Sequence, residues 1–249
     1  MPAPTATVAD WIQQLCAAFG AERVERPDGV LSLRIRGLEF ARASGAVMTW
    51  SLYEDRLVEP SEFDRVKELA ASLAAARSPD APDRQHWLYR VAPERWLESL
   101  VRAGLPLIDS RALPSPVYSQ VPAVAGVERG IIDLLAVDPD GRLAVLELKA
   151  GEDIHLPLQG LDYWMRVKWH LDRGEFRNKG YFPGMELAPR APRLLLVSPA
   201  FDFHPTTETI LRFFSPQVEV ERIGLGAEWR KELKVVFRAR GAERPGGAA

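Results

Sequence analysis

The sequence predicts a mixed α/β protein: a small α/β accessory domain followed by a larger part that runs α-β-β-β-α-β-α-β-β around a mixed sheet. Three observations predict it. Apolar residues switch repeatedly between helical and alternating spacing. A polar, proline-bearing break, SPDAPD at 78–83, separates two stretches of different element order. The run Asp138-Pro139-Asp140-Gly141 is a strong turn between two apolar strands. The expected division is 1–82 for the accessory domain, 83–240 for the main domain and 241–249 for a flexible tail.

Each element has a local reason. In VADWIQQLCAAF (8–19), Val8, Trp11, Ile12, Leu15 and Phe19 fall on one side of a helix, and Thr7 is placed to cap it. GVLSLRIRGLEFARA and AVMTWSLYE alternate and read as strands on either side of Ser44-Gly45. PSEFDRVKELAASLAAA (60–76) opens on Pro60 or Ser61 and is rich in helix formers. After the break, APERWLESLVRAG is a helix ended by Gly104, and PVYSQVPAV is a strand. Residues 130–137 and 143–149 form a hairpin across the Asp138 turn. PLQGLDYWMRVKWHLDRG (157–174) is a helix, APRLLLVSP holds a strand, TTETILRFF is a helix, and VEVERIG and ELKVVFRA are strands.

Composition narrows the function. The 249 residues are 47% apolar and 27% charged, a balance that can bury a substantial core. The net charge of −2 excludes an all-basic nucleic-acid coat but not a local basic groove, because charges act within about 8 Å at physiological salt. Cys16 is the single cysteine, which excludes an internal disulfide and a four-cysteine metal site. MPAPTATVAD has no basic start followed by an apolar run, so a secretion signal is not expected. No stretch approaches the roughly 18–20 apolar residues of a membrane span. The expected location is cytoplasmic.

The hairpin GIIDLLAVDPDGRLAVLELKAG (130–151) carries Asp133, Glu147 and Lys149 within apolar strands. By alternation, Glu147 and Lys149 share a face with Leu143 and Val145, and Asp133 shares one with Leu135 and Val137. In a hairpin the two sets can point the same way, at the end away from the turn. Two carboxylates so close repel, and a divalent cation removes the conflict. Such an ion acidifies water and neutralises charge on a phosphodiester. Lys149 could orient that water, or accept its proton if burial lowers the lysine pKa. The same residues also read as an ordinary salt-bridged strand pair, with Lys149 against Asp133 and no metal.

On the following helix, Gln159, Tyr163, Arg166 and His170 form one stripe, with Leu161, Trp164 and Met165 opposite. Amide, phenol and cationic groups suit phosphates and base edges, and equally a solvated helix face. Lys168 falls on the apolar side and would have to snorkel. Arg230, Lys231, Lys234, Arg238 and Arg240 could track phosphates or guard an edge strand. His155 and His204 lack partners at zinc spacing, and no glycine-rich phosphate loop is present.

Taken together, GIIDLL, VLELKAG and LQGLDYW resemble the PD-(D/E)XK nuclease superfamily, in particular its RecB-like and NucS-like branches. The matching residues are Gly130, Asp133, Glu147, Lys149, Gln159 and Tyr163. Ile132 stands where the name-giving proline would be, and residues 1–80 match no module of the family. The resemblance implies a restriction-endonuclease-like αβββαβ core over about 93 to 198. It also implies a Mg²⁺- or Mn²⁺-dependent nuclease acting on nucleic acid, with DNA as the expected substrate. Asp133 and Glu147 would bind the metal with the backbone carbonyl of Leu148, and Lys149 would serve the attacking water. Glu98 would be the additional acidic ligand, with Glu94 and Glu128 as alternatives. Gln159 and Tyr163, with Arg166 and His170 on the same stripe, would support the site or the nucleic-acid backbone. A role in substrate selection, or in self-association as a homodimer, is expected for the accessory domain. The competing reading is a nuclease-like module without catalysis that binds nucleic acid or a protein partner.

Overall fold

The structure is a computed structural model that describes residues 7–26, 29–52, 55–125 and 128–243; of 124, 125, 128 and 129 it describes the backbone alone. The chain forms two compact units, Met1–Trp96 and Leu97–Ala249. Each carries its own sheet.

In the first unit, α1 (Val8–Phe19) starts on a full capping box. The Thr7 hydroxyl accepts from Asp10 N, and the Asp10 carboxylate accepts from Thr7 N at 2.8 Å. Strands β1 (Glu22–Glu25), β2 (Leu31–Ile35), β3 (Leu38–Ser44), β4 (Val47–Trp50) and β5 (Arg56–Leu57) form an antiparallel meander in sequence order. The run 29–43, expected as one strand, is broken into β2 and β3. Ile35 pairs with Leu38, which leaves Arg36-Gly37 as a two-residue turn with φ of 46° and 76°. Both positive angles match the right-handed twist of a hairpin. Helix α2 (Phe63–Ala76) packs with α1 against the sheet, and Trp11 stacks on Phe63 at 5.1 Å.

The division between units falls at Trp96, later than the polar break at 78–83. Arg77 explains why the intervening chain stays with the first unit. Its buried guanidinium donates to the carbonyls of Leu88, Val91 and Arg36, and it lies 4.9 Å from the Trp96 ring centre. The short helix α3 (Trp87–Arg90) and the start of α4 (Pro93–Ala103) are thereby tied to the sheet that precedes them.

The second unit contains α5 (Leu105–Ile108), β6 (Tyr118–Ala125), β7 (Glu128–Val137), β8 (Leu143–Leu148), α6 (Leu156–Asp172), α7 (Glu175–Asn178), β9 (Arg193–Pro199), α8 (Thr207–Leu211), β10 (Glu219–Leu225) and β11 (Val235–Arg240). The six-stranded sheet has the order β11-β10-β9-β8-β7-β6. Strands β8, β9 and β10 are parallel, and the remaining pairs are antiparallel. From α4 to β9 the order is α-β-β-β-α-β, as expected, once the single-turn helices α5 and α7 are set aside. Every residue of β8 and β9 is buried, the pattern of central strands covered on both faces.

Helix α6 covers one face. A Cβ at Gly160 would lie 2.6 Å from Leu196 Cδ2, so glycine lets the helix press onto the sheet. Trp164 Nε1 donates to Pro192 O at 2.7 Å and fixes the helix lengthwise. The starts of β9 and β10 carry a separate ion-pair cluster, in which buried Arg193 meets Asp109 at 2.5 Å and Arg142 meets Glu219 at 2.6 Å. Among the described residues no helix is long and apolar enough to cross a membrane. Of the tail expected from 241, Gly241 N donates to Val220 O, and 244–249 lie outside the described residues.

Candidate functional site

The site is built from the open end of the β7/β8 hairpin. Gly141 at φ 78° closes the turn, and its N–H donates to Asp138 O at 3.0 Å. The turn sets the register: Val137 faces Leu143, Leu135 faces Val145, and the ladder ends at Leu134 and Leu146. The next step along that register brings Asp133 opposite Glu147. There the side chain takes over from the backbone, and Asp133 Oδ2 accepts from Leu148 N at 2.9 Å. On the other side of β8, Lys149 N donates to Val197 O at 3.0 Å, so β9 holds the chain at the lysine. Leu135, Val137, Leu143 and Val145 all join the core beneath α6, and Asp133 and Glu147 interact at the open end of the hairpin.

Glu147 is 1% exposed. Its Oε1 accepts from Lys149 Nζ at 3.3 Å, and its Oε2 is buried without a hydrogen-bond partner among the described residues. Burial, then repulsion from Asp133, pushes the Glu147 carboxyl up to about 9, against the pull of Lys149. Lys149 moves the other way from the expectation. Burial alone would lower it, but Glu147, Asp133 and Asp153 outweigh burial and hold the ammonium above its ordinary value. It is therefore a fixed cation, not a poised base. The salt-bridge alternative is also altered: Lys149 is bonded to Glu147 and, at 2.7 Å, to Gln159 Oε1, while the Asp133 oxygen described above serves the Leu148 amide.

Gln159 links Lys149 to the helix. Its Nε2 donates to the Tyr163 hydroxyl at 3.1 Å. The Tyr163 ring in turn lies on Gly130, where a Cβ would come within 2.5 Å of Cε1. Gly130, Tyr163, Gln159 and Lys149 thus form one packed chain of contacts from β7 through α6 to the end of β8.

The rest of the helix stripe has other duties. Arg166 is 7% exposed; it pairs with Asp162 at 2.9 Å and donates to Ala123 O at 3.1 Å, which pins α6 to β6. His170 Nδ1 lies 2.6 Å from Glu175 Oε2 on α7. The expected apolar side is only partly so. Leu161 and Trp164 pack into the core, but Met165 is 50% exposed. The reason is that the sheet is apolar enough to take the phenol ring of Tyr163 and the Arg166 stem, so the helix is rotated towards the stripe read as polar. Lys168 reaches Asp172 one turn on, at 2.6 Å. In the basic C-terminal stretch, Arg238 pairs with Glu221 at 3.2 Å and donates to Ile108 O at 2.6 Å, and Arg230 lies over Trp229.

Glu98 on α4 is 3% exposed and accepts from Gln120 Nε2. Gln120 faces Asp133 in the β6/β7 register, which brings Glu98 to the same end of the sheet. Gln120 carries no sequence motif and was not among the expected site residues. Glu94 belongs to the first unit, and the Glu128 side chain lies outside the described residues. No group of three or more His, Cys, Asp or Glu side chains placed to hold a metal ion occurs among the described residues. What the hairpin end assembles is a carboxylate pair, a fixed ammonium and the nearby main chain of Leu148. Carboxylate and carbonyl oxygens are the donors that hard divalent cations take.

No family model matches the chain, and no curated protein does. Among solved structures it is similar to the crystal structure of a repair endonuclease from Pyrococcus abyssi. The two are 17% identical with a TM-score of 0.36, and the match covers 82% of this chain and 66% of that one.

Proposed function

We propose that this chain is a divalent-metal-dependent nuclease of the PD-(D/E)XK type that hydrolyses phosphodiester bonds, with DNA as its substrate. The observation that carries this reading is the buried Oε2 of Glu147, to which no donor among the described residues is bonded, beside the Asp133 carboxylate. Two carboxylates share one ammonium there, so ionising both leaves a buried negative charge. That is the charge and donor set a Mg²⁺ or Mn²⁺ ion fits.

In this reading Asp133 and Glu147 hold the ion, with the Leu148 carbonyl beside them. A bound ion of this kind acidifies water and neutralises charge on a phosphate oxygen. Lys149, oriented by Glu147 and Gln159, supplies a positive charge and N–H donors to the phosphate or to the attacking water. Without a cation, the Glu147, Asp133 and Asp153 carboxylates hold its ammonium above the ordinary lysine value. Asp133 is oriented by the Leu148 amide.

The test is cleavage of labelled single- and double-stranded DNA and RNA with Mg²⁺ or Mn²⁺. Lys149→Ala should abolish cleavage while leaving the circular dichroism spectrum unchanged. Cleavage that survives the substitution refutes the role given to Lys149. A non-catalytic binding module would show no Mn²⁺ uptake that depends on Asp133, which calorimetry of Asp133→Ala measures.

A further inference from the structure

We infer that Gln120 is a positioning residue of this site, which couples Glu98 to the Asp133–Glu147 pair. The inference rests on the reading of that pair as the cation-holding group.

Three observations carry it. Gln120 has φ 56°, a left-handed backbone that a residue with a side chain adopts at a cost, in the interior of a strand. The β6/β7 register runs without a shift from Tyr118–Leu135 to Ala125–Glu128, yet Gln120 and Asp133, which face each other in it, are not a ladder pair. The side-chain alternation also reverses at this level: Ile132 and Leu135 of β7, and Tyr118 and Val121 of β6, each three residues apart, all join the core beneath α6. Strain of this sort persists only where the surroundings impose it. Here the released Gln120 amide donates to buried Glu98, while Asp133 is freed from the ladder to bond Leu148 N.

One residue therefore does two things. It opens the strand at Asp133, and from the position opposite Asp133 in the register it holds a third carboxylate, Glu98, which joins no three-acid cluster among the described residues. Partners that orient metal ligands from outside typically change metal affinity about 10–100-fold when removed.

The experiment is Mn²⁺ calorimetry on the full chain. The variants are Gln120→Gly, Gln120→Asn, Glu98→Gln and the double Gln120→Gly/Glu98→Gln, with thermal melts alongside. Glycine accepts the left-handed backbone and so offsets part of the cost of the lost Glu98 hydrogen bond; Gln120→Gly should stay folded while binding Mn²⁺ about tenfold more weakly. Asparagine tolerates the same backbone but is one methylene short, so Gln120→Asn should weaken binding likewise and gives the reading should the glycine variant fail to fold. In the Glu98→Gln background the further change at Gln120 should be less than about twofold, because the two act as a unit. Wild-type affinity in Gln120→Gly, or an undiminished loss in the Glu98→Gln background, overturns the inference. Absence of Mn²⁺ uptake by the wild type, or uptake that survives Asp133→Asn, overturns the site reading itself and the inference with it.

Discussion

Glu147 should make the metal-free protein lose stability as pH rises, the reverse of the usual carboxylate behaviour. An ordinary glutamate titrates near 4.5, and burial beside Asp133 raises this one to about 9. The folded chain therefore keeps a proton that the unfolded chain releases. Its contribution is complete below the unfolded value and declines until the folded value is passed. Between those limits the slope is about 1.4 kcal/mol per pH unit, or about 3 kcal/mol from pH 6 to pH 8. Glu147→Gln, which imitates the protonated group, should remove that slope. Urea unfolding of wild type and variant in EDTA at pH 6, 7 and 8 isolates the difference. The same proton must leave when a cation binds, so Mn²⁺ affinity should rise about tenfold per pH unit up to about pH 9. Close to one proton should be released at pH 7, counted from calorimetry in buffers of different ionisation enthalpy. Parallel pH–stability curves for the two proteins, or Mn²⁺ binding that ignores pH, would refute the electrostatic argument.

Gly130→Ala should destabilise the second unit by about 1–3 kcal/mol through the clash with the Tyr163 ring, and the penalty should vanish in a Tyr163→Ala background; thermal melts of the four proteins decide it. Arg166→Met should cost about 1–3 kcal/mol by stranding the Ala123 carbonyl, yet leave the salt dependence of DNA binding unchanged, because the guanidinium is not presented to phosphates. Gly37→Ala should destabilise the first unit by at least about 2 kcal/mol in urea unfolding. Its φ of 76° disfavours a side chain, and the new Cβ would fall 1.8 Å from Arg95 O.

The juxtaposition of Asp133 and Glu147 was legible in the sequence because a turn determines a hairpin register. Once Asp138–Gly141 is a turn, counting back brings Asp133 opposite Glu147 without further information. Helix α1 was legible to the residue because Thr7 and Asp10 supply a cap that needs no tertiary contact. The misreadings share a cause: they depend on what an element packs against. Arg36-Gly37 lacks the Asn-Gly or Asp-Gly signature, so 29–43 reads as one strand although its backbone turns. The rotation of α6 cannot be read from α6, because Tyr163 and Arg166 are buried by what Gly130 and Ala123 offer them. Gln120 gives no signal at all, since nothing in a glutamine announces a left-handed backbone.

The arrangement also bears on whether the three charges are merely structural. A structural ion pair is neutral when complete, and a buried one is often no more stabilising than apolar residues of the same size. This cluster does not balance. Lys149 is shared between Glu147 and Gln159, with Asp153 3.7 Å away, and no donor among the described residues is bonded to the buried Glu147 Oε2. The protein meets the imbalance by keeping Glu147 protonated, which makes the carboxylate available only to something that displaces the proton. A chain selected for stability alone would do better with a glutamine or a leucine at 147, since every neighbour of that position in β8 is already apolar. Glu147→Leu separates the alternatives. If the cluster is structural, the variant loses stability at pH 8; if the carboxylate is held for a cation, the metal-free variant is at least as stable as wild type there and no longer gains thermal stability from Mn²⁺.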